Sequence, residues 1–225
     1  MMTKRIDTLW NPTKFYTTTR LFLIRHGETV NTQGNTFRYN GHLDVDITEE
    51  GKRQLQRVAE RLRSRPLKGI YSSDLKRAKK GAEEIAKFFP HIRREEFPDL
   101  REVKQGLWEG LTLKEVWEQY PEEAQKKFSD YVHYRIPGGE NLIEAQQRSV
   151  AVIKHLVKRH HGEEFSIVAH GGINSLIICW VLELDLRHVF NLRQDFGALN
   201  VIEFFEDGKS LRVLNDTCGV FPFTP

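Results

Sequence analysis

Two short, mainly apolar segments of this chain each end in a histidine that is followed directly by glycine. The first covers residues 20–25 and leads into His26, and the second covers residues 165–169 and leads into His170. A short apolar run that stops at a glycine-containing turn is typical of a buried strand. The carboxyl ends of parallel strands meet at one edge of a sheet, where ligands bind. This pattern predicts an α/β fold with both histidines at that edge.

Amphipathic segments alternate with the predicted strands. Helical spacing of apolar residues predicts one helix after Thr48 that stops at Pro66, and a second from the N-cap candidate Asp74 to Phe89. The other predicted elements are strands over 67–72 and 92–97, helices over 141–159 and 173–182, and strands over 199–205 and 211–214 around a turn at 206–209. The alternation predicts a three-layer α/β/α sandwich with a mostly parallel central sheet and a C-terminal hairpin at one edge.

Two stretches depart from this alternation. Residues 1–19 are rich in polar residues and have no clear period, which predicts an N-terminal arm before a single domain over residues 20–225. Residues 98–137 contain one or two helices around 113–131 and no strong strand. We expect this stretch to form a helical cap inserted beside the sheet. A chain of 225 residues is long enough for one domain with such a cap.

Composition excludes several classes of function. The chain has 34 Lys and Arg against 31 Asp and Glu, spread along its length, so nothing demands a nucleic acid or membrane partner. Cys179 and Cys218 have no CxxC spacing and no partners at metal-ligand intervals, which predicts a reducing compartment. The sequence contains no apolar stretch with the pattern of a signal peptide or a membrane span. We therefore expect a cytoplasmic protein.

The residues around the two histidines predict an anion site. Arg25 stands beside His26, and its planar guanidinium suits phosphate oxygens. Gly27 and Gly171 let backbone amides approach a ligand closely, next to helix N-termini that favour an anion. Arg77 follows another predicted strand and so belongs to the same sheet edge. These residues together predict a pocket for a phosphoryl group.

A proton donor for a leaving alkoxide has to be an acid near this edge. Glu102 and Glu109 lie in one stretch of the chain, and residue type alone leaves both open for this role. The predicted cap offers aromatic candidates for the walls of the pocket, but core packing is the favoured interpretation for most of them. The aromatic candidates are Trp108, Trp117, Tyr120, Phe128 and Tyr131.

Five ordered motifs give the chain a resemblance to the histidine phosphatase superfamily, in its phosphoglycerate mutase-like branch. They are LIRHGET at 23–29, SSDLKRA at 72–78, LREVKQGLWEG at 100–110, PGGE at 137–140 and VAHG at 168–171. The resemblance spans roughly residues 20–217. It implies that His26 is a nucleophile that forms a phosphohistidine and that Glu102, rather than Glu109, acts as general acid and then base. It implies that Arg25, Arg77 and His170 hold the phosphoryl oxygens, and it implies no metal or other cofactor.

The implied mechanism makes demands on both histidines. A histidine nucleophile must be neutral at the attacking nitrogen, so its other nitrogen should donate to an acceptor. A protonated His170 and the arginines would offset the charge of the phosphate. Asn31 and Asn40 are the remaining expected substrate contacts. The family usually has an asparagine six residues after the nucleophile, whereas Asn31 comes five after His26, and this loop differs from the family pattern.

The family contains both phosphatases and mutases. Only residues 111–136 lie between the glutamate motif and Pro137, which is shorter than the usual insert of the mutases, and the ending at 215–225 resembles that of the small phosphatases. We expect a metal-independent phosphomonoester phosphatase acting on a small phosphorylated metabolite, with phosphoserine, α-ribazole phosphate and sugar phosphates all open. The alternatives are a cofactor-dependent phosphoglycerate mutase, a phosphate-binding regulator without turnover, and a histidine-lined metal site. A homodimer is expected only because twofold pairs are common.

Overall fold

The computed structural model describes residues 17–32 and 37–219. The predicted N-terminal arm over residues 1–19 lies outside these ranges except for its last residues, and Thr19 already belongs to the first strand. Among the described residues, none of the helices combines the length and the apolar character that a membrane span requires. The account of the fold that follows is confined to the two described ranges.

A mixed sheet of six strands forms the centre of the structure, in the order β3-β2-β4-β1-β5-β6. The strands are Thr19–Arg25 (β1), Leu67–Ser72 (β2), Arg94–Glu96 (β3), Glu164–Ala169 (β4), Leu199–Phe205 (β5) and Gly208–Asp216 (β6). Strands β3, β2, β4 and β1 are parallel to one another, whereas β5 is antiparallel to both β1 and β6. The predicted parallel sheet with a C-terminal hairpin at one edge is therefore confirmed.

Helices cover both faces of the sheet. They are Glu49–Leu62 (α1), Lys76–Ala86 (α2), Leu113–Gln119 (α3), Pro121–Ser129 (α4), Leu142–Arg159 (α5) and Gly171–Leu182 (α6), with short 3-10 helices at Pro98–Leu100, Gly106–Trp108 and Leu186–Asn191. Local chemistry explains where the helices begin. The side-chain oxygen of Thr48 accepts the Gly51 N–H at 2.9 Å and caps α1, and Asn141 and Glu144 form a reciprocal capping box at the start of α5.

Alternate side chains of β1 enter two different cores, as the period of a strand requires. Leu21 and Leu23 pack into a core with residues of α5 and α6. Phe22 and Ile24 pack into a second core with residues of α1 and α2. The sheet therefore lies between two helical layers, and the predicted three-layer α/β/α arrangement is confirmed. A small third cluster around Trp108 joins α3 and α4 in the stretch predicted to be a helical cap.

Three local predictions were wrong. Asp74 does not cap α2: the N-cap is Leu75, which makes no side-chain cap bond, because the Asp74 carboxylate accepts the Arg101 Nε–H at 2.7 Å instead. Helix α2 ends at Ala86 rather than Phe89, since the N–H of Phe89 turns back to the Ala86 carbonyl. The strand predicted over 92–97 is shorter and covers only Arg94–Glu96.

The register of the parallel strands sets the position of the predicted site. Arg25 of β1 pairs with Ala169 of β4, and Ser72 of β2 pairs with the preceding residue of β4. The residues that follow these strand ends therefore leave the sheet at the same edge. His26, His170 and Ser73 meet there for this reason.

Candidate active site

His26 follows β1 and is held in one tautomer by its neighbour. Its backbone N–H donates to the Ala169 carbonyl at 3.0 Å, and its ring Nδ1 lies 2.7 Å from the Gly27 carbonyl oxygen. A carbonyl oxygen only accepts, so Nδ1 must carry the proton in this hydrogen bond. The Nε2 atom consequently keeps its lone pair, as a nucleophile requires.

The surroundings of His26 keep its imidazole neutral. The side chain is buried and lies among the residues that line a cavity. Burial lowers the pKa of His26 well below 6.5, and the positive charges of Arg77 and Arg25 lower it further. The imidazole ring is therefore uncharged at neutral pH.

His170 lies beside His26, with the two ring centroids 5.1 Å apart. The Nδ1 atom of His170 accepts the Arg77 Nε–H at 3.2 Å, so its Nε2 donates to the Ser73 hydroxyl at 2.7 Å. Burial and the charge of Arg77 lower the pKa of His170 well below 6.5. His170 is therefore neutral in this structure, and its protonation beside a phosphoryl group stays a prediction. His170 is absent from the described lining of the cavity, and it acts here by holding Arg77.

Arg77 is fully buried at the start of α2 and connects His170 to the loop after residue 40. Besides its bond to His170, its guanidinium donates to the Gly41 carbonyl at 2.7 Å and to the Leu43 carbonyl. It also lines the cavity. Arg77 thus supplies a fixed positive charge, because three hydrogen bonds leave its fork little freedom to move.

Arg25 presents a donor that has no partner in the described part of the chain. Its Nε is buried without a hydrogen bond, whereas Nη1 donates to the Gln194 carbonyl. The guanidinium carbon lies 3.9 Å from the ring centroid of Phe196. Burial lowers the pKa of Arg25 to about 10, so it stays charged at neutral pH. An unpaired buried donor beside a cavity is costly unless a ligand accepts from it.

The Glu102 carboxylate occupies the N-terminus of α6. It accepts backbone hydrogen bonds from Gly172 at 3.0 Å, Ile173 at 3.2 Å and Val103 at 2.8 Å. A side chain at Gly172 would place its Cβ 2.5 Å from a Glu102 oxygen, so the carboxylate would have to shift away from its present position. The helix end that we expected to bind an anion therefore holds a carboxylate in this structure.

Glu109 follows Glu102 in the same stretch of the chain but accepts hydrogen bonds from different backbone groups. Its Oε1 accepts the backbone N–H groups of His42 at 2.9 Å and Gln105 at 3.1 Å. Glu102 lines the cavity, whereas Glu109 is absent from its described lining. The geometry therefore separates the two candidates that residue type left open.

The four remaining predicted contacts divide into two pairs. Asn40 and Gly171 line the cavity, and the Asn31 side chain donates to Asn40 from behind. Asn31 and Gly27 are absent from the described lining. Glycine is needed at position 27 for packing, because a Cβ there would lie 2.1 Å from the Gly51 carbonyl oxygen.

The site has a cavity of about 610 Å³. The predicted site residues in its lining are Arg25, His26, Asn40, Arg77, Glu102 and Gly171. Of the aromatic candidates, Trp108, Phe128 and Tyr131 line the cavity. Trp117 stacks on Phe128, and Tyr120 packs against the third hydrophobic cluster, the one around Trp108. Among the described residues, no group of three or more histidines, cysteines and carboxylates is arranged to hold a metal ion.

Several side chains of the site were not predicted. Ser73 stands in a motif together with Arg77, so its position offered a signal. Gln194 and Phe196 follow no recognised motif. Arg148 donates to the backbone carbonyl of Glu102, yet in the sequence of α5 it resembles any charged residue of a helix surface. Apart from Ser73, these residues are revealed only by the packing of distant segments.

Comparisons with known proteins agree with the geometry. The model of the histidine phosphatase superfamily (branch 1) matches residues 21–217. A metal-independent phosphoserine phosphatase of Arabidopsis thaliana is 41% identical over 160 residues, which is 69% of this chain and 65% of that protein, just under two thirds of its length. Phosphoserine phosphatase 1 of Hydrogenobacter thermophilus is 32% identical over 91% of this chain and 95% of its own. The crystal structure of a putative α-ribazole-5′-P phosphatase of Escherichia coli superposes with a TM-score of 0.82 at 27% identity, covering 90% of this chain and 99% of its own.

Proposed function

Because this chain belongs to branch 1 of the histidine phosphatase superfamily, we propose that its cavity hydrolyses phosphomonoesters through a phosphohistidine at His26. The enzyme is a phosphoric monoester hydrolase. One observation carries the assignment of roles: the free lone pair of a neutral His26 lies beside the unpaired Nε–H of Arg25 and the charge of Arg77. A neutral nucleophile among fixed cations suits attack on an anionic phosphorus centre.

In the first step, the Nε2 lone pair of His26 attacks phosphorus and the ester P–O bond breaks. Arg25 and Arg77 stabilise the charge that develops on the phosphoryl oxygens. Glu102 enters this step in its protonated form and gives its proton to the departing alkoxide, which leaves as an alcohol. The arrival of the phosphoryl dianion also favours a charged His170, since an anion nearby raises the pKa of an imidazole.

In the second step, water attacks the phosphohistidine and the N–P bond breaks. Glu102 takes the proton of the attacking water and so returns to its protonated state. Inorganic phosphate leaves, and His26 regains its lone pair. Asn40 and the backbone at Gly171 act as further contacts of the phosphoryl group, and Asn31 and Gly27 support them from outside the cavity lining.

The substrate is a small phosphorylated metabolite. The names of the relatives, phosphoserine phosphatase and α-ribazole phosphatase, support this class. The Arabidopsis relative is described as metal-independent, which supports hydrolysis without a metal ion here. The stretch predicted to be the cap, residues 98–137, forms one wall of the cavity. We also propose a cytoplasmic location and a homodimer, the latter checked by light scattering on the purified chain.

The experiment that tests this proposal measures phosphate release from phosphoserine, α-ribazole phosphate, 3-phosphoglycerate and an aryl phosphate, with a chelator present. The formation of 2-phosphoglycerate is followed in parallel. We expect phosphate release that resists the chelator and is lost in His26→Ala. Isomerisation of phosphoglycerate without release would make the protein a mutase. Binding of phosphate without either reaction would make it a regulator, and loss of activity with the chelator would favour a metal site.

A further inference from the structure

Three exposed phenylalanines from separate segments line the cavity. Phe37 belongs to the loop after β1, Phe128 to α4 and Phe190 to the 3-10 helix before β5, and all three line the cavity. Their exposed fractions are 62%, 48% and 76%. Large apolar side chains that gather in water around a concave site indicate a ligand with apolar surface.

These phenylalanines belong to two groups of contacting aromatic rings in the lining of the same cavity as His26 and Arg25, and we call the two groups together the aromatic wall. Its six members are Phe37, Tyr39, Trp108, Phe128, Tyr131 and Phe190. The ring centroids are 5.2 Å apart for Phe37–Tyr39, 5.3 Å for Tyr39–Trp108 and 6.1 Å for Trp108–Phe128 in the first group, and 5.0 Å for Tyr131–Phe190 in the second. Behind the wall, Trp117 stacks on Phe128 at 5.7 Å, with ring planes 10° apart, and holds that ring in place.

The charged side chains in the outer part of the cavity already have protein partners. Arg38 donates to the Gly110 carbonyl and to Glu115, and Lys127 donates to the Tyr131 and Tyr134 carbonyls at 2.9 and 3.0 Å. Glu28 accepts from the Thr48 hydroxyl at 2.7 Å. Each of these charged groups is thus partly engaged by protein hydrogen bonds, which weakens its attraction for a charged leaving group.

We propose that the aromatic wall binds the alcohol part of the substrate and selects phosphomonoesters whose alcohol carries an aromatic ring. This inference rests on the proposed phosphatase function, because the ring is placed relative to the phosphoryl site. A flat ring stacks or packs edge-on against the wall. An alcohol with its own carboxylate and ammonium, such as serine, brings two charges to an apolar surface where their hydration is lost.

The test compares alkyl esters, so that the acidity of the alcohol does not decide the result. The three substrates are 2-phenylethyl phosphate, ethyl phosphate and phosphoserine. We expect kcat/KM for the phenylethyl ester to exceed that for either of the others by about tenfold, from stacking and desolvation together. Binding of 2-phenylethylphosphonate and ethylphosphonate, measured by calorimetry, gives the same comparison without turnover.

Two variants of exposed phenylalanines in the aromatic wall, the rim variants, test whether the wall causes the preference for phenylethyl phosphate. Phe128→Ala and Phe190→Ala each lower the ratio of kcat/KM between phenylethyl and ethyl phosphate, by about threefold. Both side chains are exposed, so their removal leaves the folded core intact. Phe88→Ala is the matched control, because Phe88 is also an exposed phenylalanine but is absent from the described lining of this cavity. The control leaves the ratio unchanged.

The outcomes separate this inference from the proposed function. A preference for the phenylethyl ester that falls in the two rim variants supports the aromatic wall. Equal kcat/KM for the three esters, a preference for phosphoserine, or equal affinity of the two phosphonates overturns it while phosphatase activity stands. Discrimination between the phosphonates without hydrolysis of any ester supports the wall and overturns the phosphatase.

Discussion

The guanidinium of Arg148 donates a hydrogen bond to the backbone carbonyl of Glu102 at 3.0 Å. The same side chain donates to the Asp99 carbonyl at 2.6 Å and pairs with both carboxylate oxygens of Glu140. His42 donates to the Glu102 carbonyl as well, at 2.9 Å. The loop that carries the proposed acid is thus fastened to α5 by one half-buried arginine.

Arg148→Lys should weaken the proposed acid step. Lysine keeps the charge but cannot make the several bonds of the guanidinium fork, so Glu102 loses its fixed position. We expect kcat/KM for alkyl phosphates to fall by about tenfold and for aryl phosphates by less, because a good leaving group needs little protonation. Arg159→Lys, on the same helix but paired with the surface residue Glu95, is the control. An equal loss for both kinds of ester would assign Arg148 a purely structural role.

The hydrolysis rates of Glu102→Gln and Glu109→Gln should show which of the two carboxylates acts as the acid. Glutamine at position 102 cannot donate or take the proton, so hydrolysis of alkyl phosphates should slow by about 10²–10⁴-fold and aryl phosphates should be less affected. Glutamine at position 109 keeps an oxygen that accepts the His42 and Gln105 amides. Steady-state kinetics with both kinds of ester measures the contrast. A larger loss in Glu109→Gln would move the acid role to that residue.

Stability should fall as the pH decreases below about 6.5, because His26 and His170 are buried in neutral form. Their pKa values are lowered in the folded state, so the unfolded chain binds more protons below 6.5 and acid favours unfolding. Each histidine contributes about 1.4 kcal/mol of loss per pH unit in that window. Urea unfolding of the wild type and of His26→Gln checks this: the variant should show the smaller pH dependence. Identical pH dependence in the two proteins would mean that His26 is not held neutral.

Gly27→Ala should damage both stability and activity. The new Cβ would lie 2.1 Å from the Gly51 carbonyl oxygen, so the turn after β1 or the start of α1 must move. We expect a loss of about 2–4 kcal/mol in the free energy of unfolding. Gly208→Ala is the control, since its Cβ meets nothing within 4 Å. Similar denaturation midpoints for the two variants would show that the turn yields easily.

Local patterns were sufficient for the sheet and for part of the site. The strands that end at His26 and His170 follow from apolar runs and glycine turns, and parallel pairing brings their ends together. Thr48 caps its helix as its residue type suggests, because a side-chain oxygen next to the first free amides needs no distant partner. Asp74 shows where local prediction fails. It is an equally good N-cap by residue type, yet its carboxylate accepts a hydrogen bond from the guanidinium of Arg101 instead.

The sequence by itself determined which reactive groups stand at the ends of the strands: an arginine and a histidine at the end of one strand, and a second histidine after another. The family resemblance favoured Glu102 over Glu109, but only the tertiary structure shows that Glu102 lines the cavity, which arginine secures its loop and which rings form the aromatic wall. Glu102 and Glu109 are chemically the same group, and only the contact of one with the N-terminus of α6 separates them. The reason is that these contacts join segments tens of residues apart, where no local periodicity or capping preference acts.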